Sequence, residues 1–276
     1  MTMIEINGVT IVCEDSGGDA RALVLVHGFT GNRGDFRDHY AALSEIGRTV
    51  VYDHRGHGES TNTGEASTYS FDQLVADLDA LLDRLGVTRC DLLGHSMGGM
   101  VALRYVLAHP ERVSSLILMD TAARAPDGFL KVVFEMGAEI GRSEGMEKLA
   151  ETARAMAEKD PNRTAASRAY QTRIGSEAYW KRHFQRMAAM DAEAFGMLGA
   201  ELSDQQPTTE RLGEIQCPTT ILVGEQDVPF LEPSREMQAG IPDATRVVIA
   251  EAAHSPQLEN PGAWFDALCA HLARVR

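Results

Sequence analysis

The stretch Leu92-Leu93-Gly94-His95-Ser96-Met97-Gly98-Gly99 reads as a buried strand running into a helix through one tight turn. The strand covers Arg89 to Leu93, and the helix begins at about Met97. One serine sits at the apex, with a glycine two places before it and another two places after. Glycine on both sides lets the backbone turn sharply without side-chain clash. Such a turn holds the serine in a strained conformation and pushes its hydroxyl clear of the sheet. The following helix directs free N–H groups and its positive dipole end at the same spot. That is a place for a nucleophile. A pattern this short also arises by chance, so the rest of the chain has to supply partners.

Upstream, Asn7-Gly8 lies between the short alternating runs Ile4–Ile6 and Val9–Val12, which predicts an antiparallel hairpin at one edge of a sheet. Ala22–Val26 is continuously apolar, as in a strand buried on both faces. It ends in the loop His27-Gly28-Phe29-Thr30-Gly31-Asn32, and a helix through Tyr40–Leu43 follows. Thr49–Tyr52 is the next strand and runs into Asp53-His54-Arg55-Gly56-His57-Gly58-Glu59-Ser60. Ser70 and Gln73 fit a capping box, with Gln73 reaching back. Phe71, Leu74, Val75, Leu78, Leu81, Leu82 and Leu85 then recur at helical spacing until Gly86 ends the helix. The helix after Ser96 runs to His109 and is stopped by Pro110; Val113–Met119 is a further strand, ending at Asp120.

This alternation predicts an α/β fold with a mostly parallel sheet covered on both faces. From about Arg124 to Pro207 the alternation stops and the chain reads as helical, with Met136, Met146, Met156, Met187, Met190 and Met197 beside aromatics such as Phe129, Phe134, Phe184, Phe195, Tyr179 and Trp180. Strands resume at Thr219–Val223 and Arg246–Ile249, and a helix from Pro261 to Val275 closes the chain. The expected organisation is a core of residues 1–123 and 208–276 with a helical cap, or lid, at 124–207. Methionine and aromatic side chains of that cap are candidates for an adaptable apolar pocket wall as much as for core between its helices.

Composition is that of a globular protein, 44% hydrophobic and 24% charged over 276 residues. Asp and Glu number 40 against 26 Lys and Arg, a net charge of −14, which makes nucleic acid and anionic membrane surfaces poor partners. The start, Met-Thr-Met-Ile-Glu-Ile-Asn-Gly, has neither a basic region nor an apolar run of signal-peptide length, and no stretch is apolar enough to cross a bilayer. A cytoplasmic protein, monomeric or homodimeric, is expected. Cys13, Cys90, Cys217 and Cys269 are scattered without metal-like spacing and are expected as free thiols.

Parallel sheets bind ligands beyond the carboxyl ends of their strands. Just after the strands come His27-Gly28-Phe29, Asp53-His54-Arg55, Ser96, Asp120, Asp227 and His254. A serine, a histidine and two candidate aspartates therefore fall at one edge. Ser-His-acid is the combination that makes a hydroxyl nucleophilic at neutral pH, the histidine taking its proton and the carboxylate orienting the histidine. Between Asp120 and Asp227 the residues alone leave the choice open.

The motifs His27-Gly28-Phe29-Thr30-Gly31-Asn32, Asp53-His54-Arg55-Gly56-His57-Gly58-Glu59-Ser60, Gly94-His95-Ser96-Met97-Gly98-Gly99, Gly224-Glu225-Gln226-Asp227 and Ala253-His254-Ser255-Pro256 with Glu259-Asn260-Pro261 occur in an order that resembles the α/β-hydrolase fold over essentially the whole chain. The resemblance implies an eight-stranded, mostly parallel sheet with an inserted helical cap. It implies Ser96 as nucleophile, His254 as base and then acid, and Asp227, the closer match than Asp120, as the group orienting His254. It also implies an oxyanion hole of the Phe29 and Met97 N–H groups, with Phe29, His95 and Met97 next to substrate and with neither cofactor nor metal. His27 is expected to brace its loop, His54 and His57 to shape a strand end, and His95 to be a wall or packing residue pointing away from the base. His39, His109, His183 and His271 are expected as ordinary helix positions.

Serine at the nucleophile position argues against resemblance to epoxide hydrolases and haloalkane dehalogenases, which carry a carboxylate there. The loop after the Ala22–Val26 strand lacks the His-Gly-Gly-Pro-Gly-like element of proline iminopeptidases and the Gly-Pro-Gly element of hydrolases that cleave C–C bonds. It is similar to loops of small microbial esterases and lactonases, and of menaquinone-pathway lyases, which hold polyanionic substrates with arginines. The cap carries Arg124, Arg142, Arg154, Arg163, Arg168, Arg173, Arg182 and Arg186, so that alternative stays open. The leading expectation is a serine hydrolase acting on a small or medium-sized, partly apolar ester or lactone. C–C bond hydrolysis or lyase chemistry is second, and a non-catalytic ligand-binding member of the fold third.

Overall fold

The computed structural model describes every residue from Met1 to Arg276 except 127 and 129, so the expected cap aromatic Phe129 lies outside the described residues. Strands β1 (Thr2–Ile6) and β2 (Val9–Asp15) pair antiparallel, and Asn7 and Gly8 both take positive φ, 47° and 76°, to close the two-residue turn. Strands β3 (Ala22–Val26), β4 (Thr49–Tyr52), β5 (Cys90–His95), β6 (Val113–Met119), β7 (Thr219–Gly224) and β8 (Ala244–Ile249) complete an eight-stranded sheet of order β1-β2-β4-β3-β5-β6-β7-β8. The hairpin forms the edge as expected, and every pairing from β4 to β8 is parallel. The chain steps from β3 outward to β4 and then returns to place β5 on the other side of β3. Such a reversal opens a crevice beyond the carboxyl ends of the two flanking strands, here β3 and β5.

Helices α1 (Arg37–Ile46), α2 (Phe71–Arg84) and α3 (Met97–Ala108) link the early strands. Helices α4 (Lys131–Glu144), α5 (Met146–Lys159), α6 (Ala165–Ile174), α7 (Ser176–Ala188) and α8 (Ala192–Asp204) all stand between β6 and β7. After β7 come α9 (Val228–Gly240), the single turn α10 (Pro256–Glu259) and α11 (Pro261–Val275). The continuous apolar run of β3 is explained by the two layers it touches. Leu23 and Leu25 pack with Leu43 of α1 and Trp264 and Leu268 of α11, whereas Val24 and Val26 pack with Leu78 and Leu81 of α2 and Leu103 of α3.

Ser70 caps α2 by accepting from the Gln73 N–H at 3.1 Å. The reciprocal half of the capping box is not made. Gln73 reaches forward to Asp77 at 3.2 Å, and the Phe71 N–H is taken up by Glu201 of α8 at 2.6 Å. The start of α2 is thereby fastened to the inserted helices. Those helices also share an apolar cluster with the core, in which Leu149, Phe195, Leu198 and Leu202 meet Met100 and Val101 of α3. Among the described residues no helix is long and apolar enough to cross a membrane, and Cys13, Cys90, Cys217 and Cys269 are free thiols.

The loop after β4 is held to α2 by a buried ion pair. Arg55 donates to Asp77 through Nε at 2.5 Å and Nη2 at 2.8 Å, with the two side chains 3% and 1% exposed. Removing one partner leaves a desolvated charge with no counterion. Arg55→Ala is accordingly expected to cost about 3–5 kcal/mol, read as a lowered midpoint in urea unfolding; an unchanged midpoint would refute this account.

Candidate active site

Ser96 sits between β5 and α3 with φ 52° and ψ −120°, a backbone conformation unfavourable for any residue with a side chain. The flanking glycines serve close approach. A Cβ on Gly94 would lie 2.4 Å from the Gly98 carbonyl oxygen, and one on Gly98 would lie 2.5 Å from the carbonyl oxygens of both Val26 and His27. Side chains at either position would push β5, α3 and the end of β3 apart. The strained conformation falls on the serine, as expected, and neither Gly94 nor Gly98 takes a positive φ. Thr121 completes the corner by donating its hydroxyl to the Ser96 carbonyl at 2.6 Å.

The three residues expected from separate strand ends come together. His254 Nδ1 donates to Asp227 Oδ2 at 2.8 Å, which leaves Nε2 to accept from the Ser96 hydroxyl at 3.0 Å. Burial would raise the Asp227 carboxyl, but His254 beside it, by charge and hydrogen bond, holds it below the usual carboxylate value. Burial likewise opposes protonation of His254, and the adjacent Asp227 charge outweighs it, raising the imidazole above its ordinary value. The other candidate acid, Asp120, does not orient the histidine; its Oδ1 accepts from the Gly224 N–H at 2.8 Å. Asp120, Asp227 and His254 form the only cluster of metal-type donors among the described residues, with atoms within 4.8 Å of one another. Two of the three are already engaged with each other.

Two supports of His254 are absent from the sequence reading. His95 Nε2 donates to the His254 carbonyl oxygen at 2.6 Å, so the residue before Ser96 grips the backbone of His254. Burial, and then the nearby His254, push the His95 imidazole down to about 4, which keeps it a neutral donor. From α10, Glu259 Oε2 accepts from the N–H groups of Ala253 and Ser255 at 2.7 and 3.1 Å, clamping the loop on both sides of His254.

His27 braces its loop as expected, Nδ1 donating to the Gly28 carbonyl at 2.8 Å and Nε2 accepting from the His54 N–H at 3.0 Å. A Cβ at Gly28 would lie 3.0 Å from that of Ser96, so this loop rests directly against Ser96. Phe29 and His95 line the cavity above Ser96. The Met97 side chain does not; it is fully buried among the apolar residues between α3 and the inserted helices, which leaves only its backbone as a candidate for the site.

The cavity has a volume of about 440 Å³ and opens between the strand ends and the inserted helices. For the cap methionines, open between pocket wall and core, the upper wall favours core. Asn162, Arg163, Thr164, Tyr170, Tyr179 and His183 supply that side, whereas Met146 and Met190 are buried in the apolar cluster and Met136 and Met156 face solvent. His183 and Arg186 are not ordinary helix positions either. Arg186, 14% exposed, donates to Asp35 Oδ1 at 2.6 Å and to His183 Nδ1 at 3.0 Å. Burial would raise Asp35, and the Arg186 guanidinium overcomes it and keeps the carboxyl below the usual range. Burial and then Arg186 press His183 down to about 3, so it faces the cavity neutral. Arg163 lies over the Tyr179 and Trp180 rings at 5.4 and 5.3 Å.

Comparison with known proteins agrees with this architecture. The chain is 26% identical to the putative 2-succinyl-6-hydroxy-2,4-cyclohexadiene-1-carboxylate synthase of Bacillus subtilis over 92% of each chain. The structure is similar to that of the enol-lactonase of Burkholderia xenovorans, with a TM-score of 0.84, 25% identity, and 99% of this chain and 100% of that one covered. It is also similar to a thermophilic esterase of Thermogutta terrifontis, with a TM-score of 0.82, 28% identity, and 99% and 97% covered. The sequence profile of the α/β hydrolase fold matches residues 21–261. With that match across the sheet, the nucleophile turn and the inserted helices, the chain belongs to the α/β-hydrolase fold family.

Proposed function

We propose that the chain is a serine hydrolase that cleaves a small, polar carboxylic ester or lactone through an acyl-enzyme, with residues 124–207 acting as a lid. One observation carries this reading: the unbroken hydrogen-bond chain from the Ser96 hydroxyl through His254 to Asp227 at the floor of the cavity. Ser96 attacks the carbonyl carbon as His254 takes its proton. The resulting oxyanion rests on the N–H groups of Phe29 and Met97, each such donor being worth about 3 kcal/mol at the transition state. His254 returns the proton to the departing alkoxide, and the acyl group stays on Ser96. Water, deprotonated by His254, then attacks the ester carbon and releases the acid and the free hydroxyl. The enol-lactonase and esterase names of the similar structures support an acyl-oxygen bond as the target.

A cavity of about 440 Å³ is at the small end of the range for ligand sites. Its polar upper wall favours short or oxygen-rich acyl groups over fatty ones. A second reading rests on Arg163 and Arg186 in that wall and on the synthase name of the Bacillus subtilis relative. In it a carboxylate-bearing substrate is held there and His254 acts mainly as a base, without acylation of Ser96. Trapping of an acyl-enzyme on a short ester, seen by intact-protein mass spectrometry, separates the two readings.

Three outcomes are expected. A fluorophosphonate probe labels Ser96, and Ser96→Ala lowers kcat by about four to six orders of magnitude; full esterase activity in that variant would overturn the mechanism. Among p-nitrophenyl esters, acetate and butyrate are turned over with higher kcat/KM than laurate, and a reversed order would exclude the polar-pocket reading. The base must be neutral to act, and its value is raised, so kcat/KM falls as pH drops through a value above 6.5. In Asp227→Asn that acid limb moves to lower pH, because the charge that stabilises the imidazolium is gone.

A further inference from the structure

Asp120 ends β6 in a left-handed conformation, φ 45°, and is 1% exposed. Its backbone N–H donates to the Leu222 carbonyl at 3.0 Å, and its Oδ1 accepts from the Gly224 N–H at 2.8 Å. Both contacts fix the carboxyl against β7, immediately behind the turn that carries Asp227. Its other oxygen, Oδ2, is buried and receives no donor. The charged and titratable groups around it are Asp227 from that turn, His254 from the loop after β8, and Glu259 from α10. No lysine or arginine among the described residues is paired with it. An ionised carboxylate here would face another carboxylate in a water-poor interior with one backbone N–H as its only partner.

We propose that Asp120 is the positioning residue for Asp227: a neutral carboxylic acid whose Oδ2–H donates a hydrogen bond to the Asp227 carboxylate. The arrangement satisfies every polar atom involved. Asp227 Oδ2 accepts from His254, the Asp227 carboxylate accepts the Asp120 proton as well, and Asp120 Oδ1 keeps the Gly224 N–H. Two carboxyl groups this close cannot both ionise, and the one in contact with the imidazole keeps the charge. Burial first, and the Asp227 charge second, push Asp120 well above the ordinary carboxylate value, while the hydrogen bond from Asp120 helps to hold Asp227 down. The donated proton does two things for the reaction. It prevents Asp227 from rotating away from His254, and it moderates Asp227's basicity, so that His254 is not drawn permanently into its charged, inactive form. This role rests on Ser96, His254 and Asp227 being the catalytic residues, but the protonation of Asp120 is measurable without them.

Infrared difference spectra at about pH 8, where ordinary carboxyl groups are ionised, read the proton directly. The wild type is expected to show the carbonyl stretch of a carboxylic acid, absent from Asp120→Asn; no such band in the wild type would overturn the proposal. Kinetics test the positioning. Asp120→Val removes the donor, and kcat/KM is expected to fall about tenfold or more, the usual weight of a hydrogen bond to a charged group, with the acid limb moving to higher pH. Asp120→Asn, whose amide can donate to Asp227 and accept from Gly224, is expected to rescue both the rate and the position of that limb. An acid limb displaced to lower pH in Asp120→Asn would mean that Asp120 is ionised in the wild type and would overturn the proposal. So would a wild-type pH profile in Asp120→Val. Should Asp120→Val fail to fold, the infrared band and the Asp120→Asn profile decide. A wild type without esterase activity that still shows the band would sink the catalytic reading alone.

Discussion

Ser96 keeps a backbone conformation that residues with side chains avoid, and the close packing of β5, α3 and the end of β3 is what compels it to. Strain of this kind costs about 1–3 kcal/mol and persists only where the surroundings over-determine it. Here the over-determination is visible on three sides. Gly94 and Gly98 admit backbone at contact distance, the sheet register ties β5 to β3 and β6, and Thr121 fastens the Ser96 carbonyl. Relaxing any one of these would let the corner open and carry the hydroxyl away from His254. The position of the Ser96 hydroxyl is therefore a product of sheet packing.

The rest of the site is arranged so that its charges are few and fixed. One carboxylate, Asp227, faces one imidazole, and the backbone around that imidazole is gripped from two sides by His95 and Glu259. The ring's Nε2 faces the Ser96 hydroxyl while its main chain is held on both sides. Across the cavity, Arg186 is paired with Asp35, whose carboxyl packs against Gly31 in the loop that rests on Ser96. The cap and the core thus meet at the cavity through a buried ion pair as well as through the apolar cluster beside α3.

Most of the core was readable from sequence because its signals are local. The apolar run Ala22–Val26, the Asn7-Gly8 turn and the spacing of Phe71 to Leu85 each carry their own period or turn chemistry. That Ser96, Asp227 and His254 lie near one another was readable because each comes within five residues of a strand's end, and strand ends share one edge. What escaped has no local signature. Asp35 and Arg186 lie on a short 3₁₀ turn and a helix 151 residues apart, and nothing in either neighbourhood announces the other. His183 sits on an amphipathic helix that looks like any solvated one. The methionines of the cap stayed open between wall and core because a helix pattern tells which residues are apolar, and not whether the apolar face meets a neighbouring helix or a cavity. Gln73 missed its expected partner for a similar reason: Asp77, one turn ahead, competes for it with a full charge.

The inserted helices leave and re-enter the sheet at adjacent strands. Leu116 of β6 is paired with Thr219 of β7 although about a hundred residues separate them. The entropy of closing such a loop grows only with the logarithm of its length, about 0.6 kcal/mol for each doubling. Closure entropy therefore sets little limit on the length of the segment between those two strands, and what ties it to the core is contact: Glu201 on the Phe71 N–H, Arg186 on Asp35 and the apolar cluster beside α3.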